Sequence, residues 1–310
     1  MMIEILAIQA RATVQDLGRF GYRHLGISHS GAMDKLALQA GNLLLGNDPN
    51  CAAIEIALSS VRVKFLKSMA FCVTGAFYEM NLDDKPIYAY CRYYAEAGQI
   101  LTLHRAKIGM YGYLCVQGGI DVPLELGSAA TDIRATLGGV AGRYLQQGDG
   151  LKTYSDSRKL CELAVAPIPL KDTIYAVPSS EYDDFKRKSQ YHWWQGKWTL
   201  QSNSDRMGYR FQGDPLELMK PLEMLSHAIQ FGTVQVPPNG QPIILMADAQ
   251  TTGGYPKIAN IIDADLGRLA QIRLGSTVKF EMVNLAQATK YRRQNEVYLN
   301  HIRRIVDATR

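Results

Sequence analysis

Gly98-Gln99-Ile100-Leu101-Thr102-Leu103 and Gly275-Ser276-Thr277-Val278-Lys279-Phe280 are one device written twice, a glycine turn that launches an alternating strand. Two earlier pairs stand in the same order. Arg19-Phe20-Gly21-Tyr22-Arg23 reappears as Arg206-Met207-Gly208-Tyr209-Arg210, R-x-G-Y-R in both places, and Pro49-Asn50 precedes the apolar run Ala53-Ile54-Glu55-Ile56 much as Pro238-Asn239 precedes Ile243-Ile244-Leu245-Met246. Echoes kept in register point to a duplicated domain. Further short β-rich segments, Val61–Phe65, Ala70–Thr74 and Tyr113–Gln117, alternate with turns such as Gly118-Gly119 and Gly148-Asp149-Gly150. This spacing predicts a sandwich or barrel. Helical patterns are few: Ala32–Leu45, stopped by Gly46-Asn47-Asp48-Pro49; the short, charged Glu181–Ser189; and the C-terminal Glu296–Val306. The expectation is a mostly β chain in two related domains, residues 1–157 and 158–310, divided near Ser157 within the proline-containing segment Ser155–Asp172.

Composition narrows the function classes. The chain has 310 residues, 47% hydrophobic and 20% charged, enough to bury two cores and too apolar for disorder. Its net charge of +5 is spread out apart from Lys186-Arg187-Lys188, Arg292-Arg293 and Arg303-Arg304, which argues against nucleic acid as a partner. Met1–Leu6 has neither the basic start nor the long apolar core of a secretory signal, and no apolar run approaches the ~20 residues of a membrane span. A cytoplasmic protein without membrane contact is expected. Five cysteines, an odd number with no C-x-x-C pair, predict reduced buried thiols and no bound metal. No G-x-x-x-x-G-K-[ST], strand-linked G-x-G-x-x-G, G-x-S-x-G or H-E-x-x-H motif occurs, so neither common nucleotide cradle nor a self-contained hydrolase site is present.

Two stretches carry the polar chemistry. The first is Asp248-Ala249-Gln250-Thr251-Thr252-Gly253-Gly254-Tyr255-Pro256-Lys257, which follows the strand Ile243–Met246 directly. Its paired glycines permit close approach of a ligand to backbone N–H groups, and Lys257 adds a point charge; the same residues also fit a decorated Gly-Gly turn. The second runs from Thr13 to Asp34 and gathers Asp16, Arg19, Arg23, His24, His29 and Asp34 in a glycine-rich loop ahead of a helix. There, anion binding at the helix start competes with a plainer reading, in which Asp16 and Arg19 form a loop-fixing salt bridge and His29 caps the turn. Arg206 and Arg210, four residues apart beside Tyr209, suit a bidentate grip on a planar carboxylate, a partner protein or a local acid such as Asp205 or Asp214.

Longer motifs carry a resemblance. Thr13-Val14-Gln15-Asp16-Leu17-Gly18-Arg19, Gly26-Ile27-Ser28-His29-Ser30-Gly31-Ala32-Met33-Asp34, Gly118-Gly119-Ile120-Asp121-Val122-Pro123 and Val236–Pro242 followed by Gln250–Pro256 resemble the family of 5-oxoprolinase C subunits. That family is also described as biotin-dependent carboxyltransferase or allophanate hydrolase subunit 2, and it includes the antagonist of the sporulation kinase inhibitor. The resemblance spans roughly residues 3 to 285. It implies two related cyclophilin-like β-barrels and a complex with the B subunit of 5-oxoprolinase, working with the A subunit to turn 5-oxo-L-proline and ATP into L-glutamate, ADP and phosphate. ATP then belongs to the complex as a whole. It equally leaves open a carboxyltransferase half-module that passes a carboxyl group from carboxybiotin to a urea-like substrate, or a non-catalytic regulator of a kinase-inhibitor-like partner. No biotin-attachment segment is present, so covalent biotin is not expected on this chain.

These chemistries share one requirement: a small planar amide held beside an activated anion, with donors aimed at the oxygen where negative charge develops. On that basis Asp248, Lys257 and Arg206 are the catalytic candidates, with Asp248 as a base. Gln250, Thr251, Thr252, Gly253, Gly254, Tyr255, Tyr209 and Arg210 are the substrate-binding candidates. Asp16, Arg19, Arg23, His29 and Asp34 form a structural or partner-facing loop. Ala249 departs from the family pattern, where a bulkier or polar residue is common.

Overall fold

Val61-Arg62-Val63-Lys64-Phe65 alternates apolar with polar, and its burial follows: Val61, Val63 and Phe65 face the core and Arg62 faces out, as one strand over Val61–Phe65. The same logic builds most of the chain, whose computed structural model describes residues 2–9, 11–58, 60–154 and 159–309. The chain is mostly β. It divides into two compact units, one of Met1–Arg19, Ser30–Pro169 and Glu296–Arg310, the other of Phe20–His29 and Leu170–Asn295. The boundary expected near Ser157 lies outside the described residues.

In the first unit eleven strands form one sheet. Its spine is a long antiparallel pair, Met69–Leu82 against Ile100–Val116, with register shifts between Gly75 and Met80. The strand launched at Gly98 and the one expected at Tyr113–Gln117 are the two ends of this second strand. They stay joined because the bulges let the pairing continue, while Val61–Phe65 holds one end and Ala53–Ala57 the other. Ile5, Ile54, Phe65, Phe71, Leu101 and Leu114 lie in its core. Helix α1, Lys35–Leu44, buries Leu38, Ala40, Leu43 and Leu44 and starts later than Ala32 because Asp34 caps it, accepting from Ala37 N at 3.0 Å. Gly41 lets α1 approach closely: a Cβ there would stand 2.6 Å from Cys115 Sγ.

In the second unit seven strands close into a barrel, in the order Thr173–Pro178, Lys257–Ile261, Thr233–Gln235, Ile243–Leu245, Gly208–Gln212, Trp198–Leu200 and Thr277–Met282. The first and last strands pair in parallel to complete the ring. Helix α2, Arg187–Gln195, lays Trp193 flat on Phe280 with centroids 4.3 Å apart, and Phe211 meets Phe280 edge-on. Only the end of the expected Glu181–Ser189 helix is α-helical, since Tyr182–Asp184 makes one tight turn and buried Phe185 then extends. Helix α3, Asp263–Ala270, was not expected, although Asp263 and Asp265 in its first turn and Arg268 in its last complement the helix dipole. Helix α4, Leu285–Asp307, begins well before Glu296. Asn284 and Gln287 each accept from the other's backbone N at 2.9 Å, a reciprocal cap that starts it.

The R-x-G-Y-R echo takes two conformations. Arg23 opens a short 3-10 turn, Arg23–Leu25, whereas Gly208, Tyr209 and Arg210 enter a strand. The turns at Gly98 and Gly275 do match, with φ of 96° and 81°. The cysteines are free thiols, but Cys161 is exposed and its Sγ accepts from Arg92 Nη2 at 3.0 Å, so it is no core hydrophobe. Among the described residues no helix is long and apolar enough to cross a membrane.

Candidate functional site

Lys257 lies at the start of the barrel strand Lys257–Ile261 and not in the loop before it, with 9% of its surface exposed. A buried ammonium requires partners. Its Nζ lies 3.0 Å from Glu181 Oε2, and the same oxygen accepts from Lys257 N at 3.1 Å. Glu181 sits in the turn after the strand Thr173–Pro178, and Ser180 Oγ donates to its Oε1 at 2.6 Å. Burial pushes the Glu181 carboxyl up, but the hydrogen bonds from Ser180 and Lys257 outweigh it and leave the group below its ordinary value.

The second partner of Nζ is His227 Nε2. Lysine offers donors only, so Nε2 accepts, and Nδ1, 3.1 Å from Leu225 O, carries the proton. His227 belongs to a two-stranded ribbon, His227–Ala228 against Thr252–Gly253, with His227 opposite Gly253. Gln235 lies opposite Lys257 in the barrel ladder, and a Cβ on Gly253 would stand 2.6 Å from Gln235 Nε2. Glycine at 253 is what lets the ribbon lie against that amide.

Arg23 holds the base of the ribbon. Its Nη2 donates to Ile229 O, and lies 3.4 Å from Gln250 O and 3.3 Å from Thr251 O, so one guanidinium ties the chain leaving one strand to the chain approaching the other. Burial lowers the Arg23 pKa from its ordinary value. Two candidate stretches far apart in sequence, Arg23 and Gln250-Thr251, thus meet at one point.

The other candidates are placed as follows. Arg206 closes bidentately on Asp248, Nε to Oδ2 at 2.7 Å and Nη2 to Oδ1 at 2.8 Å, with side-chain exposures of 13% and 9%, and Asp248 N donates to Arg206 O. Both Asp248 oxygens therefore face one guanidinium. Tyr209 is fully buried and donates to Ala270 O at 2.8 Å, whereas Arg210, next along the strand, is exposed. Gln250 and Thr252 are exposed, and Tyr255 is 46% exposed at the end of the loop. Ala249 packs with Ile229 and Leu245 beneath it.

In the first unit Asp16 accepts from Gly18 N, Ser128 Oγ and Ala129 N, while Arg19 donates to Glu125 O and Ala130 O. No salt bridge joins Asp16 to Arg19 among the described residues. Backbone groups meet both side chains closer at hand. His29, of the second unit, packs on Phe20 with ring centroids 5.0 Å apart. Glu181, His227 and Gln235 are the site residues that sequence reasoning missed. Glu181 read as part of a helix, and nothing local marks an isolated histidine or a glutamine one residue before the Val236–Pro242 motif.

A family model described as the carboxyltransferase domain, subdomain A and B, matches residues 25–282. The chain is 69% identical over 306 residues to the C subunit of 5-oxoprolinase from Haemophilus influenzae, covering 99% of each protein. It is 46% identical over 302 residues to the corresponding C subunit of 5-oxoprolinase from Escherichia coli, covering 97% of each. The crystal structure of the K. lactis urea amidolyase superposes with a TM-score of 0.90 at 25% identity; the match covers 97% of this chain and 20% of that one.

Proposed function

Because the chain belongs to the carboxyltransferase domain family, subdomains A and B, we propose that it is the C subunit of a 5-oxoprolinase and acts with the A and B subunits to open 5-oxo-L-proline to L-glutamate at the expense of ATP. The observation that carries this reading is the 69% identity across 99% of both chains to a protein named for that role. The reaction breaks the lactam C–N bond with water, while ATP gives ADP and phosphate. Lys257 supplies a donor for the lactam oxygen, which gains negative charge as the carbonyl is attacked or activated. Thr252, Gly253, Gly254 and Tyr255 line the loop beside it. Arg23 holds that loop at its base, and the Arg206–Asp248 pair braces the strand end from which it departs.

The family's description as a carboxyltransferase domain supports a second reading, for which we take carboxybiotin as the donor and a urea-like amide as the acceptor. One reconstitution separates the two. The A and B subunits co-expressed with this chain should release glutamate from 5-oxoproline only when ATP and all three proteins are present, and Lys257→Met should reduce that rate at least about a hundredfold. If the complete set releases no glutamate, the first reading is abandoned. Turnover that appears only on adding a biotin carrier and urea establishes the second.

A further inference from the structure

Gln235 is 2% exposed, yet its Nε2 has no hydrogen-bond partner among the described residues. A buried donor left without a partner is unfavourable, whereas an apolar side chain of the same shape would leave no hydrogen bond unmade. Its neighbour across the ladder is Lys257. The ladder shifts register between Val234 and Gln235, so the ribbon fixes their placement: Gly253 lies against the Gln235 amide, and its partner His227 meets Lys257 Nζ, which brings amide and ammonium under the same two residue pairs. Lys257 commits one N–H to Glu181 and one to His227, and a lysine ammonium has a third. Among the described residues, two donors without a further partner therefore lie together beneath the Thr252–Gly253 edge of the ribbon.

The charges of the cluster decide what kind of oxygen suits these donors. Glu181 already opposes the Lys257 charge at 3.0 Å, so the ion pair as a whole carries no net charge. A ligand carboxylate would stand near Glu181 with only one shared cation between them, and like charges at such range are unfavourable. An uncharged carbonyl oxygen meets no such repulsion and still takes both hydrogen bonds.

We propose that Gln235 and Lys257 form a two-donor subsite for the uncharged lactam carbonyl oxygen of a small cyclic amide. The proposal rests on the 5-oxoproline reading above and deepens it by assigning the lactam end of the substrate, not its carboxylate, to this position. Gln235 is then a substrate-contacting residue that fixes ring orientation. The cover over these donors is a ribbon only two residue pairs long, held at its base by Arg23.

The test uses the full-length chain and two probes of equal ring size, the neutral lactam 2-pyrrolidinone and the anion cyclopentanecarboxylate, titrated while the Gln235 side-chain amide signal is followed by NMR. The lactam should shift that signal and bind more tightly than the anion. Gln235→Met should weaken lactam binding at least about tenfold, roughly 1.4 kcal/mol, while its Tm stays level or rises, because the apolar isostere removes an unmade hydrogen bond. The proposal is overturned by lactam affinity within twofold of wild type in Gln235→Met, by equal affinity for the anion, or by an unmoved Gln235 signal. Should Gln235→Met fail to fold, the wild-type signal and the comparison of the two probes decide. No step of the assay needs ATP, other subunits or turnover. A complex that releases no glutamate would therefore remove the proposed reaction and leave this subsite standing, and loss of lactam binding would do the reverse.

Discussion

A lysine as buried as Lys257 keeps its charge only while something opposes it, and Glu181 does so at 3.0 Å. Because the folded Glu181 carboxyl titrates below its ordinary value, the pair contributes stability above the unfolded pKa of about 4.3 and loses it as pH falls through the lower folded value. Urea denaturation should therefore show wild-type protein losing stability below about pH 4.3 that Glu181→Gln does not lose; identical acid sensitivity would remove the ion pair from the account. Arg23 acts at the same scale through three carbonyl oxygens. In Arg23→Gln, amide hydrogen exchange at His227 and Thr252–Gly254 should quicken by at least about tenfold, with the barrel strands Thr233–Gln235 and Lys257–Ile261 unchanged. Exchange that quickens everywhere would make Arg23 a general stabiliser, and exchange that quickens nowhere would remove the clamp.

Among the elements, α2 has the most direct hold on the barrel. Its Trp193 is fully buried, stacks on Phe280 and accepts through its backbone oxygen the indole N–H of Trp198 at 3.1 Å. Removing such a side chain leaves both lost apolar contact and a cavity, so Trp193→Ala should cost about 3–5 kcal/mol in chemical denaturation. A loss under about 1 kcal/mol would mean that the barrel core closes without α2. The ribbon is the opposite kind of element. Two residue pairs cannot hold themselves in register, and this one depends on Arg23 at its base and on the fit of Gly253 over Gln235. A rigid barrel face carrying Lys257 and Gln235 beneath a lightly held cover suits a site that must admit a small molecule and then surround it.

At the scale of the molecule, the chain's end returns to its beginning: Glu296–Arg310 counts with the unit that holds the N-terminal strands, and Ile302 and Val306 are buried. Ending the chain after Asn295 removes both side chains from the core, at about 2 kcal/mol each. Limited proteolysis of the truncated protein should then cleave within residues 30–169 faster than in wild type, and an unchanged pattern would show the helix end to be dispensable. Much of this architecture was legible in the residues. Alternation in Val61–Phe65 and the glycine turns at 98 and 275 depend on neighbours in sequence, and the structure keeps them. Lys257 and the Thr252–Gly253 loop were visible as chemistry because they are dense in donors within a few residues. What escaped were the pairings. The hold of Arg23 on a loop more than two hundred residues away, the salt bridge of Arg206 to Asp248, and the partners Glu181, His227 and Gln235 all arise between distant segments, and the run from Ile100 through to Val116 stays one strand only by pairing with Met69–Leu82. Local pattern and motif depend on the steric and hydrophobic preferences of adjacent residues, so the sequence by itself determined the β class, the turns and the family. Which donor meets which acceptor is a matter of strand register and loop closure, and only the tertiary structure decided that.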